Sequence, residues 1–213
     1  MNLVQHTKNA LYLTLNGKSK LAQPDFKLKG MSGALGRMFL NNLCSTENIR
    51  YLEIGLWMGS TFCCALKDNS VDAVGIDNWS QFNGPKNEFL DAYQKYKGTN
   101  EVQILDADCF SIDVSKMGKK FNVYFYDGDH TAEAQEKAFT YFDPIFEDTF
   151  VAIVDDYKEP DVVTGTQAAF RKLGYTVLFQ KEFYVPPGFE DAAGWWNGML
   201  IAVLEKNKSL VTK

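Results

Sequence analysis

The chain has 213 residues, 46% of them hydrophobic and 23% charged, with a formal net charge of -5, a composition that supports one folded domain with a substantial core. No cluster of lysines or arginines offsets the acidic balance, which argues against a nucleic-acid partner, because a phosphate backbone demands a basic surface. There is no apolar stretch of signal-peptide type near the N-terminus and no run of 18 apolar residues, so the expectation is a cytoplasmic protein without a membrane span. Cys44, Cys63, Cys64 and Cys109 lack CxxC spacing and fit reduced thiols.

Residues 1–48 read as a helical lead-in, in which GMSGALGRMFLNNL places apolar side chains at helical spacing. The main domain is expected over 49–206, and 207–213 as a tail. Apolar runs predict strands over 50–54, 71–76, 102–105, 122–126 and 150–154. Amphipathic segments predict helices over 60–67, 86–97, 111–117, 132–146 and 165–173. Strands alternating with helices pair in parallel through right-handed crossovers, which gives an α/β doubly wound sheet. YTVLFQKEF and WNGMLIAVLEK follow without a helix between them and should pair antiparallel.

The run RYLEIGLWMGS, starting at Arg50, reads as strand, glycine turn, helix. Gly55 and Gly59 would let backbone come close to a ligand, and Ser60 and Thr61 could cap the helix. Asp77 ends the next strand, at the distance where a Rossmann-like unit holds ribose hydroxyls with both oxygens of a carboxylate. The glycine spacing is not GxGxxG, which disfavours a dinucleotide. Acids end almost every predicted strand: Glu53, Asp77, Asp106 with Asp108, Asp127 with Asp129, and Asp155 with Asp156. Any one of them could cap a helix. Gathered at one sheet edge they repel, and that implies a cation, a hydroxyl-rich ligand, or both. Asp127, Asp155 and Asp156 would supply three hard oxygen ligands suited to Mg²⁺, with His130 three residues beyond Asp127.

The Glu-x-Gly-x-x-x-Gly turn resembles the first motif of class I S-adenosylmethionine-dependent methyltransferases. The DGDH run followed by DDY resembles the divalent-metal-dependent O-methyltransferases, especially those acting on sugar hydroxyls of macrolides. The resemblance implies a Rossmann-like seven-stranded sheet, mostly parallel with an antiparallel last strand and helices on both faces. It implies S-adenosylmethionine as cofactor, with Mg²⁺ or a similar cation on Asp127, Asp155 and Asp156, and His130 as general base toward a small-molecule hydroxyl acceptor. Glu53, Gly55, Gly59 and Ser60 would border the methionine end of the cofactor and Asp77 its ribose. Asp108 and Cys109 would meet the adenine with Trp79 as a wall, and Asp127 would serve cofactor and metal alike. The loop VPPGFEDAAGWW, with Trp195 and Trp196, is a candidate border of the substrate site. A metal-independent enzyme of the same fold and a non-catalytic cofactor-binding module stay open as alternatives, and so does assembly into a homo-oligomer.

Overall fold

Alternation of side chains along the strands sorts the molecule into three layers. In β1 (Arg50–Ile54) Tyr51 packs to one side of the sheet, and Leu52 and Ile54 to the other. In β4 (Phe121–Tyr126) Val123 and Phe125 share the side of Tyr51, while Tyr124 and Tyr126 share that of Leu52. The computed structural model describes residues 1–185 and 194–207.

The first face is covered by α1 (Leu3–Leu15), α2 (Ala34–Leu43) and α3 (Ser60–Leu66), joined by Phe89 of α4 (Lys86–Tyr96). The lead-in helices thus share a core with β1. The second face is covered by α5 (Ala132–Phe142) and α6 (Pro160–Leu173). Completing the sheet are β2 (Asp72–Asp77), β3 (Glu101–Asp106), β5 (Phe146–Asp155), β6 (Thr176–Phe183) and β7 (Met199–Glu205). The strand order is β3-β2-β1-β4-β5-β7-β6. The first five strands run parallel and β7 lies antiparallel between β5 and β6, so the seven-stranded Rossmann-like arrangement is present. Among the described residues no helix is long and apolar enough to cross a membrane.

Several boundaries differ from the sequence reading. Residues 111–117 form no α-helix; they take part in two 3₁₀ turns, Cys109–Ser111 and Val114–Lys116. Asp108 and Asp113 each accept the backbone N–H two residues on, and this competes with a continuous helix. The helix expected over 132–146 stops at Phe142, one turn of 3₁₀ follows around Pro144, and β5 begins at Phe146. The helix expected from residue 165 starts at Pro160, whose ring suits the first helical turn. Neither Ser60 nor Thr61 caps α3: Gly59 holds that position with φ of 82°.

Candidate functional site

The strand order reverses between β1 and β4, so the crossovers leave to opposite sides and a crevice opens beyond the carboxyl ends. Here lies a cleft of about 900 Å³, within the range of small-molecule sites. It has two halves. One is lined by Gly55 and Trp57 after β1, residues 76–82 after β2 and residues 107–110 after β3. The other is lined by residues 126–131 after β4 and by Asp155, Asp156 and Glu159 after β5, with Met31, Trp196 and Asn197 arriving from elsewhere in the chain.

In the first half Asp77 organises the wall. Its Oδ2 accepts the backbone N–H groups of Leu56 and Trp57, both at 2.7 Å, and its Oδ1 accepts that of Trp79 at 2.6 Å. The Trp79 indole N–H then donates to the Trp57 carbonyl at 2.9 Å. A carboxylate oxygen has two lone pairs, so Oδ2 is filled and Oδ1 keeps one. Asp77 therefore has room for a single hydrogen bond from a ribose, not the pair expected from sequence. The glycines, too, answer to the protein. A Cβ on Gly55 (φ 86°) would sit 1.9 Å from the Asp127 carbonyl oxygen, and one on Gly59 would sit 2.7 Å from the Phe89 ring.

Glu53, Gly59 and Ser60 stand behind this wall and do not line the cleft. Glu53 is fully buried, accepting hydrogen bonds from the Tyr51 hydroxyl and, at 2.5 Å, from Thr61. Burial pushes its carboxyl up to about 8, against the pull of those two hydroxyls. Ser60 Oγ lies 2.6 Å from Ser32 Oγ. Gly55, Asp77, Trp79, Asp108 and Cys109 do reach the cleft. Burial pushes the Cys109 thiol up to about 12, so it stays a neutral, apolar contact.

In the second half, three side chains from two loops converge. His130 Nε2 lies 3.2 Å from Asp156 Oδ2 and 4.0 Å from Asp127 Oδ1, while Nδ1 lies 3.3 Å from Glu159 Oε2. One ligand atom from each of Asp127, His130 and Asp156 falls within 4.8 Å of the others, which is spacing for a metal ion. Asp156 is 8% exposed, has a φ of 51°, and leaves Oδ1 buried without a hydrogen-bond partner. Across the cleft, Trp57 Nε1 is likewise buried and unpartnered. Buried polar atoms left unpaired cost stability. Asp155 lines the cleft but lies outside the converging group; burial holds its carboxyl well above the ordinary range, helped by repulsion from Asp127 and Asp156. His130 thus stands where the sequence reading had put Asp155.

The His130 imidazole is raised to about 9 by the carboxylates around it, Asp127 first and then Asp156 and Glu159, against desolvation. Burial raises the Asp127 carboxyl, and Asp156 adds to the effect. At neutral pH His130 is therefore protonated.

Sequence reasoning missed Met31, Trp57, Glu159 and Asn197. Only Glu159 carried a signal, since it precedes a proline at a helix start. Met31 and Asn197 arrive through packing between distant segments: the Gly194 carbonyl accepts the Leu35 N–H at 3.0 Å, and Lys158 Nζ donates to Asn197 at 2.8 Å. Of the loop expected to border the substrate, residues 186–193 lie outside the described residues. Trp195 stacks on Phe183 in the core, with ring centroids 3.7 Å apart, and Trp196 reaches the cleft.

Comparison with known proteins agrees with this architecture. The methyltransferase domain family matches residues 52–157, from β1 to just past the paired aspartates. A search of curated proteins found no match. Among solved structures, TrmN from Thermus thermophilus superposes with a TM-score of 0.59 at 12% identity, over 86% of this chain and 52% of its own. An O-methyltransferase assigned as putative from Klebsiella pneumoniae gives 0.57 at 13% identity, covering 96% and 90%. An O-methyltransferase from Bacillus cereus, solved in complex with SAH, gives 0.56 at 14%, covering 94% and 91%. The chain thus spans about half the length of the first of these and nearly all of the other two. With the family match across the glycine turn and the strand-end acids, and with the β7 insertion, the chain is a class I S-adenosylmethionine-dependent methyltransferase resembling the O-methyltransferases.

Proposed function

We propose that the chain transfers the methyl group of S-adenosylmethionine to a hydroxyl oxygen of a small molecule, bound in the half of the cleft that holds Asp127, His130 and Asp156. The convergence of these three side chains, with Asp156 Oδ2 3.2 Å from His130 Nε2, carries this reading. A divalent cation held by Asp127 and Asp156, with Asp155 behind them, would supply a fixed charge that orients the acceptor hydroxyl and lowers its pKa.

The chain's own residues account for alignment and for the proton. Glu159 accepts the Nδ1 proton of His130, which turns Nε2 toward the acids and the acceptor. As the acceptor oxygen's lone pair forms the new C–O bond, the C–S bond of the cofactor breaks with its electrons passing to sulfur. The hydroxyl proton ends on His130 Nε2, and S-adenosylhomocysteine leaves with the methyl ether. A raised imidazole is a willing acceptor but must first be deprotonated, so turnover should rise with pH along one ionisation.

The test is methyl transfer from S-adenosylmethionine to a panel of hydroxylated small molecules, with and without EDTA. Expected are loss of activity in EDTA, recovery with Mg²⁺, and a fall of roughly 10²- to 10⁴-fold in His130→Ala with S-adenosylhomocysteine binding intact. Activity that survives EDTA would leave a metal-independent transferase. A second reading, His130 as a third metal ligand, is favoured by the 4.8 Å clustering. It requires His130→Ala to weaken metal binding, which a base alone would not do.

A further inference from the structure

Two apolar side chains that line the acceptor half, Met31 and Trp196, come from opposite ends of the chain and meet the cleft from one seam. A Cβ on Gly30 would lie 1.9 Å from Ser60 Oγ, and one on Gly33 would lie 2.1 Å from the Gly194 carbonyl oxygen and 2.7 Å from the Trp196 nitrogen. The Leu35 N–H donates to that same Gly194 carbonyl at 3.0 Å. Ser32, between the two glycines, is tied to Ser60 at 2.6 Å and to Arg37 at 2.9 Å. Residues 30–35 are therefore pinned to the start of α3 on one side and to the backbone of residues 194–196 on the other, with Met31 between the pins and 39% exposed.

The two tryptophans divide their roles. Trp195 is buried and stacks on Phe183, whereas Trp196 is half-buried, lines the cleft and has a φ of 56°. That left-handed backbone is costly for a residue with a Cβ, and glycine or asparagine would adopt it more readily. Held there, an indole offers the cleft a flat, polarisable face, and the Met31 thioether offers a yielding apolar one. Asp127, His130 and Asp156 make the same half polar elsewhere. An acceptor that satisfies both has its hydroxyl at one end and an apolar face at the other. A polyol would set hydroxyls against an indole and a thioether, exchanging hydrogen bonds to water for none of equal strength.

We infer that Met31 and Trp196 determine acceptor specificity by gripping the face of a hydroxylated aromatic ring system, and that they select it over the sugar hydroxyls implied by the sequence resemblance. This rests on the proposed function and narrows its substrate class. The probes are naphthalene-2,3-diol, catechol and myo-inositol: the first two present the same hydroxyl pair on two fused rings or on one, and the third a saturated ring of hydroxyls. Binding of each is measured by calorimetry on the full chain loaded with S-adenosylhomocysteine and Mg²⁺.

The expected result is naphthalene-2,3-diol bound roughly fivefold tighter than catechol, the scale of one added aromatic contact, with myo-inositol weakest. In Met31→Ala and in Trp196→Asn the advantage of the second ring should shrink toward none, while affinity for S-adenosylhomocysteine stays unchanged as the control for folding. Trp196→Asn should also melt no lower than wild type, because asparagine accepts the left-handed backbone more readily. Equal binding of the two diols, an advantage kept in both variants, myo-inositol bound as tightly as catechol, or no probe bound beside S-adenosylhomocysteine overturns the inference. So does a clearly lower melt of Trp196→Asn, which would make that ring structural. Failure of S-adenosylhomocysteine itself to bind strikes at the proposed function, which keeps the two failures apart.

Discussion

At the scale of single residues, Asp77 shows how one carboxylate can shape a site before it touches a ligand. It accepts three backbone N–H groups, two from the turn after β1 and one from its own loop. Asp77→Ala should therefore lower the stability of the ligand-free chain by about 2–4 kcal/mol, since each buried donor left unpaired costs roughly 1–3 kcal/mol and some regain water. Urea unfolding without cofactor is the check: unchanged stability beside lost binding would make Asp77 purely a ligand contact. His130 makes a prediction in pH. Its folded-state value, raised from 6.5 to about 9, means the native chain holds that proton more tightly than the unfolded one. The stabilisation is complete below about 6.5 and fades as pH rises through about 9. In EDTA, wild type should thus be more stable than His130→Gln at pH 6, and the gap should close by pH 10. A constant gap would mean that the imidazole acts through packing alone. Most of the strand-end acids were legible in the sequence, because a carboxylate after an apolar run is a local signal. Their partners were not, because Leu56, Trp57 and Glu159 meet Asp77 and His130 only once strands are in register.

At the scale of elements, β1 and β4 are locked together at the turn they share. The Gly55 N–H donates to the Ile76 carbonyl at 3.0 Å, and the Asp127 N–H donates to the Ile54 carbonyl at 2.9 Å. Gly55→Ala places a methyl 1.9 Å from the Asp127 carbonyl oxygen at a φ of 86°, so one strand end must move. We expect a loss of roughly 2–4 kcal/mol from left-handed strain and overpacking together, read by denaturant unfolding. A loss below about 1 kcal/mol would show that the two strand ends slide apart freely. The strands were readable because each alternates or is continuously apolar, as in NVYFY and FVAIV. The 111–117 segment misled because apolar residues at Ile112, Val114 and Met117 mimic a helical face, whereas the aspartate-opened 3₁₀ turns are decided by hydrogen bonds that periodicity does not encode.

At the scale of the whole molecule, the N-terminal segment is wired into the sheet through one buried guanidinium. Arg37 of α2 donates to the carbonyls of Leu28 at 2.9 Å and of Phe26 and Gly30 at 3.4 Å, and its Nε to Ser32 Oγ at 2.9 Å. Ser32 in turn meets Ser60 of α3, and Gly30 fits only because a Cβ would lie 1.9 Å from that same Ser60 Oγ. Arg37→Met should release residues 26–32, so trypsin should cut after Lys27 and Lys29 several-fold faster at unchanged cutting within the sheet. Equal rates at those two lysines would show that Ser32 and Gly30 hold the segment by themselves.

The inserted β7 bears on how such a chain can diverge. Because β7 runs antiparallel to β5, Met199 pairs with Asp155 on one side and Phe183 on the other, so β6 ends and β7 begins at the rim of the cleft. The connection from β6 to β7 thus starts and ends at this rim. That stretch is a cassette: exchanging it for the equivalent stretch of another chain of this fold should retune which molecules are methylated while leaving the cofactor's grip as inherited.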